Sequence, residues 1–419
     1  MRLTKQYIDI KDVLFDSKTF IEDHVLHINK EELLEYIDDY RLRDVKIRIA
    51  HPGDSCRLSN VGDIVQPQYK VDGMTFPGVV DEIGSLGFGK TIFLRGVVVT
   101  EILEMPTSIG QFYDMTGPAL EYVDSLADCI HVTIDAHPTE GVAKNDYFNA
   151  MCIASKKAAK YLAEAARDSV PDEEEEFTMK RDNLAELPRI AYVFQIFCHA
   201  PLTDSMYYGA DGSMMMPIII HPNEVLDGGL VCRNYYQANN ADPTYWYQNH
   251  PMLQGLLKRH GKDINFVGCV MSNTPHEVKD KMRNAMMAAN LIKHELKAEG
   301  VIITKEGGGH PQIDTALICD NCTALGVPPV LALKEFLSMS NASDEHVIFS
   351  TANADAMVST GCRETVLFPK LDEVIGDTPF NDITFAFDID PTNEFFHEPE
   401  GIRGAFSQLG VGDFSSEKI

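Results

Sequence analysis

The second half of this chain alternates in a way that leaves few folds open. Near-continuous apolar runs at Arg189–Phe197, Met216–His221, Ile264–Ser272, Gly300–Thr304 and Pro329–Leu333 are interleaved with stretches of helical spacing at His276–Gly300 and Gln312–Gly326. Strands apolar on both sides need cover on both sides, which predicts a mostly parallel, doubly wound sheet between helical layers. Two shorter runs, His346–Thr351 and Thr365–Pro369, would add strands, and from about Pro379 the sequence reads as loop.

The first half reads differently. Val25–Asn29, Val45–Ala50 and Thr91–Thr100 are β-branched runs separated by the turn clusters His51–Asp54 and Gly84–Gly87, with helical spacing at Glu31–Leu42 and Asn145–Asp168. Between the halves, Glu173–Glu176 are four like charges beside a proline with no apolar period, the pattern of a solvated linker. The expected fold class is α/β: a strand-rich α+β domain over 1–170, an acidic linker over 171–188, and an α/β domain over 189–419 that carries the site loops.

Charge narrows the partners. With 36 Lys and Arg against 63 Asp and Glu, the 419-residue chain carries a net −27, which repels phosphate and argues against nucleic acid or an anionic membrane face. Apolar residues at 44% and charged residues at 24% are ordinary globular values, which excludes disorder. No run approaches a membrane span and the first residues lack a signal-peptide core, so the expected location is cytoplasmic. Nine scattered cysteines are an odd number and do not read as a disulfide framework.

Several clusters could carry chemistry. Glu306-Gly307-Gly308-Gly309-His310-Pro311 follows a strand and precedes a helix, so glycine N–H groups could hold a carboxylate there, with Glu306 and His310 adding charge or a proton relay. The same residues also suit a plain tight turn. Cys319 and Cys322 form a C-x-x-C late in a helix, which suits packing better than redox chemistry. No second pair stands at zinc spacing, and no metal is expected. Cys232, Cys198 and His199 could form a thiol–imidazole pair if the fold brings them together. Trp246 with Tyr235, Tyr236, Tyr245 and Tyr247 could meet an amine, or could simply pack.

The same stretches resemble a known family. Asp114–Tyr122, Met216–Val231, Asp242–Pro251, Arg259–Gly268 and Gly300–Pro311 are similar to the proproteins of component B of glycine, sarcosine and betaine reductases, which are related to the D-proline reductase proprotein. The resemblance implies reductive cleavage of the carbon–nitrogen bond of a small amine carboxylate. It also implies a partner subunit with a reactive thiol or selenol, and hence a hetero-oligomer. In processed members the chain cuts itself between an Asn and a Cys, and that Cys becomes a pyruvoyl group. Counted back from Pro243-Thr244-Tyr245, the Asn falls on Asn234 but the Cys falls on Tyr235, and a phenol cannot undergo the acyl shift. No cofactor is therefore expected, and the chain is expected to stay whole.

Three readings follow. The first is an unprocessed component-B-like oxidoreductase subunit, the second a non-catalytic substrate-binding or scaffold subunit, and the third a stand-alone thiol enzyme. The expected catalytic residues are Cys232, Asn234, Tyr235 and His199. Substrate contacts are expected from Glu306, Gly307, Gly308, Gly309, His310, Tyr236 and Trp246.

Overall fold

The computed structural model describes residues 1–104, 111–182, 184–198, 204–235, 241–333, 351–359, 365–376, 380–382, 387–405 and 409. Besides a small sheet of Asp12–Asp16, Val25–Asn29 and Phe20–Glu22, the first-half strands are β1 (Arg2–Asp9), β2 (Leu42–Ala50), β3 (Cys56–Ser59), β4 (Val61–Val65), β5 (Gln68–Lys70), β6 (Gly89–Arg95), β7 (Val97–Leu103), β8 (Phe112–Asp114) and β9 (Ile130–Pro138). They are followed by the long helix α1 (Lys144–Glu164) and by β10 (Glu173–Thr178). Two four-stranded sheets result, in the orders β10–β1–β6–β5 and β2–β9–β7–β4. Helix α1 packs its alanine-rich face, including Ala150, Ala154, Ala158 and Ala159, against apolar residues of both sheets. Short side chains let the helix approach closely, and alanine has the highest helix propensity.

Thr91–Thr100, expected as one strand, is two strands in different sheets. Gly96 separates them with φ +90°, and a Cβ there would lie 2.3 Å from the carbonyl oxygen of Ile10. Only glycine fits both demands, so the chain turns there.

The acidic run, expected as a linker, is a strand. Glu173–Glu176 belong to β10, which pairs antiparallel with β1. Each glutamate meets a donor: Arg95 holds Glu173 at 2.6 Å, Gln6 holds Glu174 at 2.5 Å, Tyr7 reaches Glu175 at 3.4 Å, and Arg2 Nε holds Glu176 at 2.6 Å. Partners distant in sequence offset its charge and hold it as a strand, while Glu173, Glu174 and Glu176 stay exposed.

The second half forms a six-stranded sheet. Its strands are β11 (Arg189–Ile196), β12 (Ile218–Ile220), β13 (Asn265–Asn273), β14 (Gly300–Lys305), β15 (Pro329–Leu333) and β16 (Ala356–Ser359), in the order β12–β13–β11–β14–β15–β16. All neighbouring pairs are parallel except the antiparallel edge strand β12. The interleaved helices include α2 (Thr244–Gln248), α3 (Pro251–Arg259), α4 (Val278–Asn290) and α5 (Pro311–Ala324). Tyr192, Phe194 and Ile196 of β11 pack one way, against Leu253, Leu256 and Leu257 of α3. Ala191 and Val193 face the other way, against Ala285 and Ala288 of α4 and Ile318 and Cys319 of α5. This two-sided burial explains why those strands lack polar alternation.

The chain then returns to its first half. A strand β17 (Glu373–Ile375) pairs parallel with β3. Buried Arg57 grips Asp114 through two bonds of 2.6 and 2.7 Å and also donates to the carbonyls of Pro369, Pro391 and Asn393. The run His346–Thr351 lies outside the described residues except for its last position. Among the described residues no helix is long and apolar enough to cross a membrane.

Candidate functional site

The carboxyl ends of β11 and β14 lie side by side, and Glu306 follows β14 directly. Its carboxylate is fully buried and takes three bonds from three segments. Phe197 N donates at 2.7 Å, Asp242 N at 2.9 Å and the Tyr247 hydroxyl at 2.6 Å. The chain after β11, the loop before α2 and the end of α2's aromatic run thus meet at the side chain that follows β14. Burial, reinforced by the nearby Asp242 carboxylate, raises the Glu306 pKa to about 8. Burial and the neighbouring carboxylate thus favour its protonated form, while the three donors favour the ionised one.

A second group of charges surrounds Cys232. Its N–H donates to Thr244 Oγ1 at 2.9 Å, its carbonyl lies 3.5 Å from Lys156 Nζ, and its sulfur accepts from Arg403 at 3.2 Å. Asp63 ties these partners together, accepting from Thr244 N at 2.8 Å, Thr244 Oγ1 at 2.5 Å and Lys156 at 2.6 Å. Lys156 also reaches Glu101 at 3.0 Å, and Arg403 donates to Gln111 and to the Ala241 carbonyl. Although burial opposes its charge, the Asp63 and Glu101 carboxylates hold the Lys156 pKa well above the ordinary lysine range. Burial pushes the Cys232 thiol up to about 12, with Arg403 pulling the other way, so it is a neutral thiol here. A nucleophilic cysteine needs its thiolate, and this setting does not supply it.

The expected residues divide. Cys232 and Asn234 lie together near the end of β11, where Asn234 Nδ2 donates to the Phe197 carbonyl at 3.4 Å. Tyr235 instead turns into the first-half core, its ring 5.2 Å from Phe148 and its buried hydroxyl beside Glu101. Trp246 is 3% exposed and donates its indole N–H to the Gly404 carbonyl at 2.9 Å, so it packs rather than lining a cleft for an amine. Gly307 is buried at φ +80°, and a Cβ there would strike the Phe197 ring. Gly308, Gly309 and His310 are half-buried, and burial together with Lys281 and His276 lowers the His310 pKa to about 4. His310 is therefore a neutral imidazole near pH 7. Its ring lies 6.0 Å from that of His276. Cys319 and Cys322 are both fully buried within α5, as packing cysteines would be. His199 and Tyr236 lie outside the described residues.

Reading by motif missed Asp63, Glu101, Lys156 and Arg403. A usable signal was present: Asp63 and Glu101 each interrupt a strand that is otherwise apolar, VGDIV and VVVTEIL. A buried acid in such a run requires a cation.

The sequence pattern of glycine/sarcosine/betaine reductase component B subunits matches residues 1–394. The chain belongs to that family. It is 33% identical over 431 residues to the glycine reductase complex component B subunits alpha and beta of Acetoanaerobium sticklandii, covering 100% of both chains. It is 34% identical over 385 residues to the sarcosine reductase complex component B subunit alpha of Peptoclostridium acidaminophilum, covering 90% of this chain and 89% of that one. A more distant relative is the D-proline reductase proprotein PrdA of Acetoanaerobium sticklandii, 21% identical over 78% of this chain and 54% of that one. No solved structure matches the chain. Membership of the component B family makes it an oxidoreductase subunit, and buried charge clusters of the kind around Glu306 and Asp63 are common at catalytic centres.

Proposed function

We propose that this chain is an unprocessed component B subunit that acts, with a thiol- or selenol-bearing partner, in reductive carbon–nitrogen cleavage of a small amine carboxylate. The observation that carries this reading is the end-to-end match to a glycine reductase component B chain, 100% of each. The six-stranded sheet is read as doubly wound, with the ligand crevice beyond the carboxyl ends of β11 and β14, where such sheets bind ligands.

A pyruvoyl group does not suit the residues at 234 and 235. Tyr235 has no sulfur to take the acyl chain, and its side chain is packed against Phe148 in the core. No step is therefore drawn through that group. The groups this chain does offer are Glu306, which gathers the loops at the ends of β11 and β14, and the Asp63–Lys156–Glu101 cluster, which fixes the loop bearing Cys232.

The test is to purify the chain with the partner subunits encoded beside it and to measure amine release from glycine, sarcosine and betaine with a dithiol reductant. Release that requires both the intact chain and the partner supports the proposal. Full activity without a partner would instead favour a self-sufficient thiol enzyme.

A further inference from the structure

On the face covered by α4 and α5, the six-stranded sheet changes character at its last rung. Val270, Val193 and Ile303 stand side by side in register on β13, β11 and β14, and all three belong to the apolar core. Two residues further on, the same face presents Ser272, Gln195 and Lys305, again in register. These three are polar yet only 3%, 0% and 1% exposed. This polar floor lies at the carboxyl ends of parallel strands, and the strand order reverses between β11 and β14, the place where α/β sheets hold ligands.

The first turns of two helices stand over that floor. Thr315 of α5 donates to Gln195 Oε1 at 2.8 Å. Asp314 of α5 pairs with Lys281 of α4 at 2.5 Å, both side chains 3% exposed. Two atoms are left over: among the described residues, nothing accepts from Gln195 Nε2 and nothing donates to Asp314 Oδ1. One requires an acceptor and the other a donor, and leaving such buried groups unmet is costly. Lys281 uses one N–H on Asp314 and, as an ammonium, has others to offer. At the turn before α5, a Cβ on Gly309 would meet nothing within 4 Å.

We propose that Gln195, Lys281 and Asp314 bind the charged ends of a small amine carboxylate, the carboxylate on Gln195 Nε2 and Lys281 Nζ and the ammonium N–H on Asp314 Oδ1. This rests on the reductase reading and adds the residues and a selectivity. Because Asp314 accepts a hydrogen bond, primary and secondary ammonium groups bind better than a quaternary one. Because Asp314 is a carboxylate, inorganic phosphate is disfavoured.

Titration calorimetry on the full chain with glycine, sarcosine, betaine, acetate and inorganic phosphate tests this, with folding of variants checked by thermal melting. Glycine and sarcosine are expected to bind about tenfold or more tighter than betaine, as one charge-assisted bond allows. Gln195→Leu should weaken glycine and acetate alike by about tenfold, whereas Asp314→Asn should weaken glycine by a similar factor and spare acetate. A glycine-bound structure of the unaltered chain provides a check that needs no variant, with density between Gln195 and Asp314 as the expected result. Density elsewhere, phosphate binding tighter than glycine, or folded variants with unchanged glycine affinity would each overturn the site while leaving the reductase reading intact. A chain that binds none of glycine, sarcosine and betaine would overturn both.

Discussion

Glu306 is the residue on which three segments depend. Because burial and Asp242 raise its pKa from 4.5 to about 8, the folded chain holds this proton more tightly than the unfolded chain does. Its contribution to stability is therefore full below about pH 4.5 and is lost as pH rises through about 8. Glu306→Gln removes that titration. Denaturant midpoints measured across this range should fall less for the variant than for the unaltered chain, and equal slopes would show that Glu306 does not titrate there. Lys156 carries the opposite liability. Lys156→Met strands the buried Asp63 and Glu101 carboxylates, at a cost of about 3–5 kcal/mol, which a thermal melt near neutral pH would register as a clearly lowered Tm. At this scale the sequence was only half legible. Glu306 stands out because glycines and a proline frame it, whereas the meaning of Asp63 depends on Lys156, 93 positions away, and on Arg403 in the returning segment.

Among the elements, the second-half strands were the easiest to foresee, since two-sided burial writes unbroken apolar runs. Pro329–Leu333 and Arg189–Ile196 fall within a residue of expectation. The failures came where a distant partner decided the outcome. Glu173–Glu176 became a strand because Arg2, Gln6 and Arg95 stand opposite, and none of these is adjacent in sequence. The split between β6 and β7 depends on how near Ile10 approaches Gly96, which local propensity does not register. Gly96→Ala should accordingly destabilise the chain by more than about 1 kcal/mol, because it meets both a positive φ and a carbonyl oxygen. A denaturant midpoint equal to that of the unaltered chain would show that the turn can relax.

Across the whole molecule, neither the part before residue 235 nor the part after it closes without the other. The six-stranded sheet takes β11 and β12 from before residue 235 and β13–β16 from after it. Later residues return to the first half through β17 on β3, through the carbonyls held by Arg57, and through Arg403 on Gln111. A specific protease site inserted between residues 235 and 241 should therefore give two fragments that co-elute in size exclusion until denaturant is added. Fragments that separate in buffer would contradict this interlocked topology. Size alone thus cannot show whether the chain is cut, and covalent mass must. A component B subunit with Tyr235 in place works as one uncut chain. The most direct measurement is the intact mass of the chain isolated in its active reductase complex. The account predicts one species at the full 46.7 kDa. Two fragments, the later one beginning with a carbonyl-reactive terminus, would contradict it.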